Sequence, residues 1–507
     1  MRVPRLLVAI VAFAASALFA GCHGVRPSPP PAEPALPPSE DGLWTSLEAA
    51  APGDRFHVLN RGDEAFAWRL RAIDTATVSI DLQTFLWLPD STGRAILSRV
   101  LAAADRGVRV RILLDDSFTV GEGDAIGAVA QHPNVQVRIY NPFARRPDDL
   151  ALRQVANVAE FARVDHRMHN KAMIVDGRAA IIGGRNLADE YFGRHATANF
   201  RDLELLALGP IVGELSRTFD RYWRSPWSIP AQDVVGTSPA GKDLAALQAK
   251  LADAPAGPAG PAAESAEERF DAWMTLARHA PEGQATVLAD DPAQADPAAE
   301  APDQLARALI EQLDRARSEI VLVSAYLVPT PELADALRRA QARGVRVRIL
   351  TNSLRSNNHT AAHSAYRGFI RSLLGHGVEL HEVRALAKDR SLYMVPPVDT
   401  KHLGLHAKAV LLDDDLSFVG SANLDPRSLR LNTEMGLLVR SRELNRQLRE
   451  AFGVDFDGRN AWHLEQTPDG SVRWVGDDQV LTVQPAESTW QRLEDWFFSG
   501  LPIRNEM

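Results

Sequence analysis

The feature that most constrains this chain of 507 residues is that it repeats itself at a fixed distance. The stretch ADRGVRVRILLDD (104–116) returns as QARGVRVRILTNS (341–353), HNKAMIVD (169–176) as HAKAVLLD (406–413), and GGRN (183–186) as GSAN (420–423). All three matches keep an offset of 237 residues, as from Gly107 to Gly344 and from His169 to His406. Upstream, Phe85 in SIDLQTFLW matches Tyr326 in IVLVSAYLV at 241, so the halves differ slightly in length there. The chain is a duplicated domain with one set of site elements in each half.

Both halves follow one coarse plan. A helix candidate (63–76; 302–316) precedes an apolar strand, then an amphipathic helix ending at the RGV glycine, then the strand RVRILLDD or RVRILTN. Apolar runs alternating with amphipathic helices predict an α/β fold with helices on the sheet faces. Residues 236–284, rich in Ala, Pro, Gly and acids, read as a flexible surface insertion without chemistry, with one short helix near 270–277.

At the N-terminus, two arginines in MRVPR precede an apolar run (6–20) too short to span a bilayer comfortably, and the run ends Ala20-Gly21-Cys22. Cys22 is the sole cysteine, which excludes an intramolecular disulfide framework and any zinc site built on several thiolates. The domain plan is therefore a signal segment (1–21), a Pro-rich tether (22–41), a first lobe (42–235), the insertion (236–284), and a second lobe (285–507) ending in an aromatic segment.

In HNKAMIVDGRAAIIGGRN, apolar runs flank Asp-Gly, which predicts a tight hairpin. A two-residue turn at Gly177-Arg178 sets His169 opposite Asn186, and His169 and Lys171 share a face. The second copy, turning near Asp414-Asp415, sets His406 opposite Asn423 beside Lys408. Brought together by a pseudo-twofold axis, the two ends make one site with two histidines and two lysines. Lysines and asparagine amides can hold a phosphate through charge-assisted hydrogen bonds, and two imidazoles can divide nucleophilic attack from proton transfer. With a lysine beside each histidine, the pattern predicts neither metal nor cofactor.

HNKAMIVD and HAKAVLLD, each followed by its Gly-containing turn and Asn, resemble the duplicated H-x-K-x4-D signature of the phospholipase D superfamily. That resemblance covers nearly all of the mature chain. It implies two pseudo-symmetric α/β/α sandwich lobes with the active site at their interface, and a phosphohistidine intermediate. By the same resemblance His169 is the nucleophile and His406 the acid/base; spacing alone does not order them. Asp176 and Asp413 close the motifs and complete the catalytic set, although a strand-end position next to a turn suits them to holding hairpin geometry. FRDLELLAL (200–208) and NTEMGLLV (432–439) align Asp202 with Glu434, where the family places an acid that orients a catalytic histidine. Ser421 stands before Asn423 as a further phosphate-binding candidate, and its counterpart Gly184 has no hydroxyl.

The stretches RVDHRMHNKAMIVDG, GGRNLADEYFG and GSANLDPRSLRLNTE resemble bacterial cardiolipin synthases of the type without N-terminal membrane spans, as does the aromatic C-terminus with Trp490, Trp496, Phe497 and Phe498. LFAGC resembles a lipobox, which implies lipidation of Cys22 and a periplasm-facing envelope protein, with the outer membrane favoured because nothing acidic follows the cysteine. The implied substrate is a phospholipid such as phosphatidylglycerol at a membrane surface. A net charge of -9 argues against nucleic acid as a partner. The implied reaction is phosphatidyl transfer to a second phospholipid, giving cardiolipin; phospholipase D-type hydrolysis is the alternative. The C-terminal aromatics read as a buried helix in preference to one dipping into a bilayer.

Overall fold

Alternate residues of the central strands enter different cores, so each sheet needs a layer on both faces. In the Arg109–Asp115 strand, Ile112 and Leu114 pack into the outer core of the first lobe, and Leu113 into a core shared by both lobes. In the Glu319–Val323 strand, Ile320 and Leu322 enter the outer core of the second lobe, and Val321 and Val323 enter the shared one. The shared layer is filled by two helices, Ile211–Trp223 (Leu215, Phe219, Trp223) and Arg442–Phe456 (Leu444, Leu448, Phe452).

The architecture comes from a computed structural model that describes residues 25–31, 36–236, 242–252, 264–292 and 303–499. Cys22 and the signal segment lie outside these residues. The first lobe carries an eight-stranded sheet in the order Arg55–Leu59, Glu204–Leu208, Ala179–Gly183, Ala172–Val175, Ser79–Thr84, Arg109–Asp115, Val135–Tyr140 and Ser228–Pro230. The second lobe repeats the pattern within ten strands: Gln284–Ala289, Met435–Arg440, Leu416–Gly420, Ala409–Leu412, Glu319–Val323, Arg346–Asn352, Glu379–Val383, and three further strands at one edge. The fold is two α/β/α lobes face to face. Among the described residues no helix is long and apolar enough to cross a membrane.

Helix boundaries follow local chemistry. Asp90 caps the Ser91–Asp105 helix by accepting from the Gly93 amide at 2.9 Å, and Thr330 with Pro331 starts the matching Pro331–Ala342 helix. Both helices stop at the RGV glycine, whose φ of +95° (Gly107) or +82° (Gly344) is the left-handed conformation that ends a helix.

Three expectations need correction. The hairpin turns contain three residues: Val175 pairs with Ala179 and Leu412 with Leu416, a register one residue away from the predicted one. Asp176 and Asp413 adopt left-handed φ values of 56° and 51°, which takes them out of the ladder and turns their carboxylates back onto neighbouring amides. The ladder also ends at Ala172–Ile182 and Ala409–Val419, so His169 faces Asn186 across no strand pair, nor His406 Asn423.

The segment between the lobes is also more ordered than its composition suggests. It forms helices Lys242–Ala252 and Ala266–His279, and Trp273 is fully buried with its ring 5.3 Å from Trp44 and 5.0 Å from Trp68. One large aromatic can anchor an otherwise polar segment.

Finally, the Thr489–Ser499 helix buries Asp495 and turns its aromatics outward, with Trp490 72% and Trp496 65% exposed. Asp495 explains this orientation. It accepts from Ser364 Oγ (2.9 Å) and Arg367 Nη1 (2.9 Å) and lies 3.1 Å from His363 Nδ1, so the polar side of the helix faces the protein.

Candidate active site

Each histidine sits in an extended segment just before its hairpin, and that segment is held by the opposite lobe. The His169 amide donates to Thr433 O at 3.0 Å; the His406 and Ala407 amides donate to Arg201 O at 2.8 and 3.1 Å. The strands Ala198–Arg201 and His402–Leu405 pair in parallel across the lobe boundary. Asp115 and Asn352, aligned by the same 237-residue offset, secure the strand leading to each histidine: Asp115 Oδ2 accepts from Met168 N (2.9 Å) and Asn352 Oδ1 from Leu405 N (2.8 Å).

The acids are exchanged between lobes. His169 Nδ1 faces Glu434 Oε1 and Oε2 of the second lobe at 2.9 and 3.0 Å, and His406 Nδ1 faces Asp202 Oδ2 of the first lobe at 2.6 Å. A carboxylate opposite Nδ1 selects the tautomer that leaves the Nε2 lone pair free. The two acids differ in reach, and their neighbours differ to match. A Cβ at Gly184 would come within 2.2 Å of Asp202 Oδ1, so the first half has no room for a hydroxyl there. In the second half Ser421 Oγ donates to Glu434 Oε2, and Ser428 Oγ to Oε1 at 2.7 Å. Ser421, read from sequence as a phosphate ligand, is thus engaged by the acid, because the longer Glu434 side chain needs two hydroxyls to fix it. Ser428 carries no signal in the sequence, since no part of the repeat pairs it with a like residue.

Lys171 and Lys408 fold back on their own motifs: each Nζ lies 2.5 Å from the carbonyl of its histidine, and Lys408 Nζ is 2.8 and 2.9 Å from the His406 ring nitrogens. Asn186 and Asn423 are buried, and the Oδ1 of each has no hydrogen-bond partner. Buried amides usually satisfy both ends, so each of these two keeps an unused acceptor, while only its Nδ2 group can donate to a phosphate oxygen. Rings steady the imidazoles: Phe85 is 4.9 Å from His169, and Tyr191 and Phe200 are 5.0 and 5.2 Å from His406.

Asp176 and Asp413 lie at the far ends of the hairpins, away from this cluster. Asp176 accepts from the amides of Thr77, Val78 and Ser79 and from Trp44 Nε1; Asp413 accepts from the amides of Arg317, Ser318 and Glu319. Their inclusion in the catalytic set is therefore corrected. A residue at the turn, five positions along from the lysine, cannot also reach the histidine end.

Burial dominates the electrostatics. It holds His169 well below its usual proton affinity, with Lys171 and Lys408 adding to the effect. Burial, then the Lys408 charge, brings His406 down to about 3 despite Asp202, so the site on its own favours the neutral form of both imidazoles. Lys171 is lowered to about 7 and Lys408 to about 8, again by burial first. Burial raises Glu434 to about 7 against the pull of Lys171, whereas at Asp202 burial is outweighed by the hydrogen bond from His406 Nδ1 and by the charges of Lys408 and Arg185, which keep it low. An arriving phosphodiester anion would favour the charged form of all four bases.

The sign of the pH dependence follows. A lysine that loses its proton no longer attracts the anion, so kcat/KM should fall as pH rises through about 7 to about 8, well below the ordinary lysine range. A pH–rate profile measured under kcat/KM conditions tests this; a profile flat up to the ordinary lysine range would contradict it.

The comparisons with known proteins agree with this construction. The family description "Cardiolipin synthase, PLD-like domain" matches residues 70–223 and again 309–455, one match per lobe. Cardiolipin synthase C of Escherichia coli K12 is 34% identical over 457 residues, covering 88% of this chain and 94% of that protein. Cardiolipin synthase B of the same strain is 27% identical over 398 residues, covering 78% and 79%. The crystal structure of phosphatidylserine synthase from Haemophilus influenzae Rd KW20 superposes with a TM-score of 0.55 at 13% identity, covering 90% of this chain and 97% of that one, which shows the shared fold. With both lobes matched and a relative aligned along nearly its whole length, the chain belongs to the cardiolipin synthase-like family of phospholipase D superfamily enzymes.

Proposed function

We propose that this protein is a phosphatidyltransferase that makes cardiolipin from phosphatidylglycerol and a second phospholipid. The crossed pairing of His169 with Glu434 and His406 with Asp202, beside two buried lysines, carries the reading. The relatives bearing the cardiolipin synthase name support the substrate class. In the first half-reaction His169 Nε2 attacks phosphorus, a P–N bond forms, and the P–O bond to the departing glycerol breaks as His406 protonates that oxygen. His406 holds the required second proton only when the phosphodiester anion is in place, because burial keeps the free imidazole neutral. In the second half-reaction His406 takes the proton of a hydroxyl on the acceptor lipid, its oxygen attacks phosphorus, and the P–N bond breaks. Lys171, Lys408, Asn186 and Asn423 hold the non-bridging oxygens, where fixed positive charge gains most as the transition state forms. The choice of His169 for attack rests on family resemblance.

The same reading places the protein on a bacterial envelope membrane facing the periplasm, the outer membrane being favoured, anchored by a lipid on Cys22. The exposed Trp490, Trp496 and Phe497 supply an aromatic face suited to a membrane interface. Product analysis tests the reaction: phosphatidylglycerol vesicles should yield cardiolipin and free glycerol. Phosphatidic acid in place of cardiolipin would make water the acceptor, and the absence of both would sink the reading.

A further inference from the structure

We propose that a cavity in the first lobe holds part of one long acyl chain of the phosphatidyl donor, an inference that rests on the phosphatidyl-transfer reading above. The cavity, about 140 Å³, lies between the sheet (Ile112, Leu114, Val137) and the helices Ser91–Asp105 and Gly123–Val129, roofed by Leu247 and Leu251 of the Lys242–Ala252 helix. The lining is mostly apolar, and an apolar hollow of this size takes up about a benzene's volume of hydrocarbon, a short stretch of a chain. The cavity also adjoins the chemistry. Phe85 lines it and stands 4.9 Å from the His169 ring, and Phe118, also in the lining, is 5.1 Å from Phe85. Asp115, on the same wall, holds the Met168 amide at 2.9 Å, one residue before His169.

The second lobe shows what a non-lipid filling of this position looks like. There the Thr489–Ser499 helix packs on Thr360–Arg367 as Lys242–Ala252 packs on Gly123–Val129. Its contact is polar: Asp495 binds His363, Ser364 and Arg367, and Gln491 donates to Leu354 O at 2.8 Å, while Gln484, ahead of the helix, lies 2.9 Å from His363 Nε2. Each lobe carries a roofing helix outside the repeated segments, and only the first one's underside is apolar.

This asymmetry matches the order of events. After glycerol leaves, the phosphatidyl group is bonded to His169, in the first lobe. A chain held in that lobe keeps the intermediate seated while the acceptor enters. Arg94 and Lys250 at the cavity edge offer methylene stems to a chain and charge to a lipid head group.

Two measurements test the assignment. Filling the cavity with Ala125→Trp should lower kcat/KM for dioleoyl-phosphatidylglycerol at least about tenfold and leave dibutyryl-phosphatidylglycerol within about twofold, since only the long chain needs the space. Equal loss on both donors, or loss on neither, overturns the proposal. Photolabelling of the wild-type protein with a diazirine-bearing stearoyl lysophosphatidylglycerol requires neither turnover nor a variant. Adducts on Leu97, Ile126 or Leu247 are expected, and adducts confined to the Thr489–Ser499 helix overturn the proposal. If the wild type transfers from neither donor, the transfer reading has failed, and the labelling pattern alone decides the cavity.

Discussion

Replacing His169 or His406 with alanine is expected to lower kcat at least about 10⁴-fold, because each variant removes one member of a pair that acts as a unit. The two variants should differ in what accumulates. A phosphodiester with a good leaving group needs no acid in the first step, so His406→Ala should still form a phosphohistidine that it then discharges slowly. His169→Ala should form none. Denaturing quench of each variant with a radiolabelled donor, followed by peptide mapping, separates the cases. An adduct on His406 would reverse the assigned roles, and near-normal turnover by either variant would refute a two-histidine mechanism.

The second large effect concerns stability. Asp176 is fully buried and accepts from Trp44 Nε1 at 2.9 Å, from the amides of Thr77, Val78 and Ser79 at 3.0, 2.8 and 2.9 Å, and from Thr77 Oγ1 at 3.0 Å. Asp176→Ala leaves these donors unsatisfied at once, which should cost about 3–5 kcal/mol in urea unfolding. Molecules that remain folded should keep nearly normal turnover, because the carboxylate touches nothing in the site. Asp413→Ala should cost less, since its donors on Arg317 and Ser318 lie in more exposed backbone that water can reach. Loss of kcat with unchanged stability in Asp176→Ala would return this residue to the chemistry.

Much of this arrangement is legible in the sequence because duplication supplies an internal control. The 237-residue offset picks out His169 with His406, and also Asp115 with Asn352, whose positioning role becomes visible only when the strand before each histidine is seen to hang from it. The exchange of acids is not legible. Alignment pairs Asp202 with Glu434 as equivalents but cannot say that each serves the histidine of the other half, which depends on how the lobes dock. The hairpin register slipped by one because Asp-Gly predicts a two-residue turn, while the Asp176 carboxylate, drawn to three backbone amides, takes its own residue out of the ladder. Composition concealed the Lys242–Ala252 helix and the docking of Ala266–His279, whose 270–277 part the sequence does predict: Ala, Pro and acids signal a solvated segment, and a single residue, Trp273, is enough to dock it. At the C-terminus aromatic content suggested burial, but the charge of Asp495 decided which side faces inward.

Because each of the two site imidazoles borrows its carboxylate from across the seam, neither half of this polypeptide contains a complete His169- or His406-type proton-transfer couple. The molecule is an obligate partnership written into one gene. Mutational drift is free to remodel the outer coverings independently, as the unlike roofs of the two halves illustrate, yet any change in the length of one acid must be answered by that acid's own neighbours if it is still to meet the histidine of the opposite half. Gly184 beside the short acid and Ser421 beside the long one record such an answer.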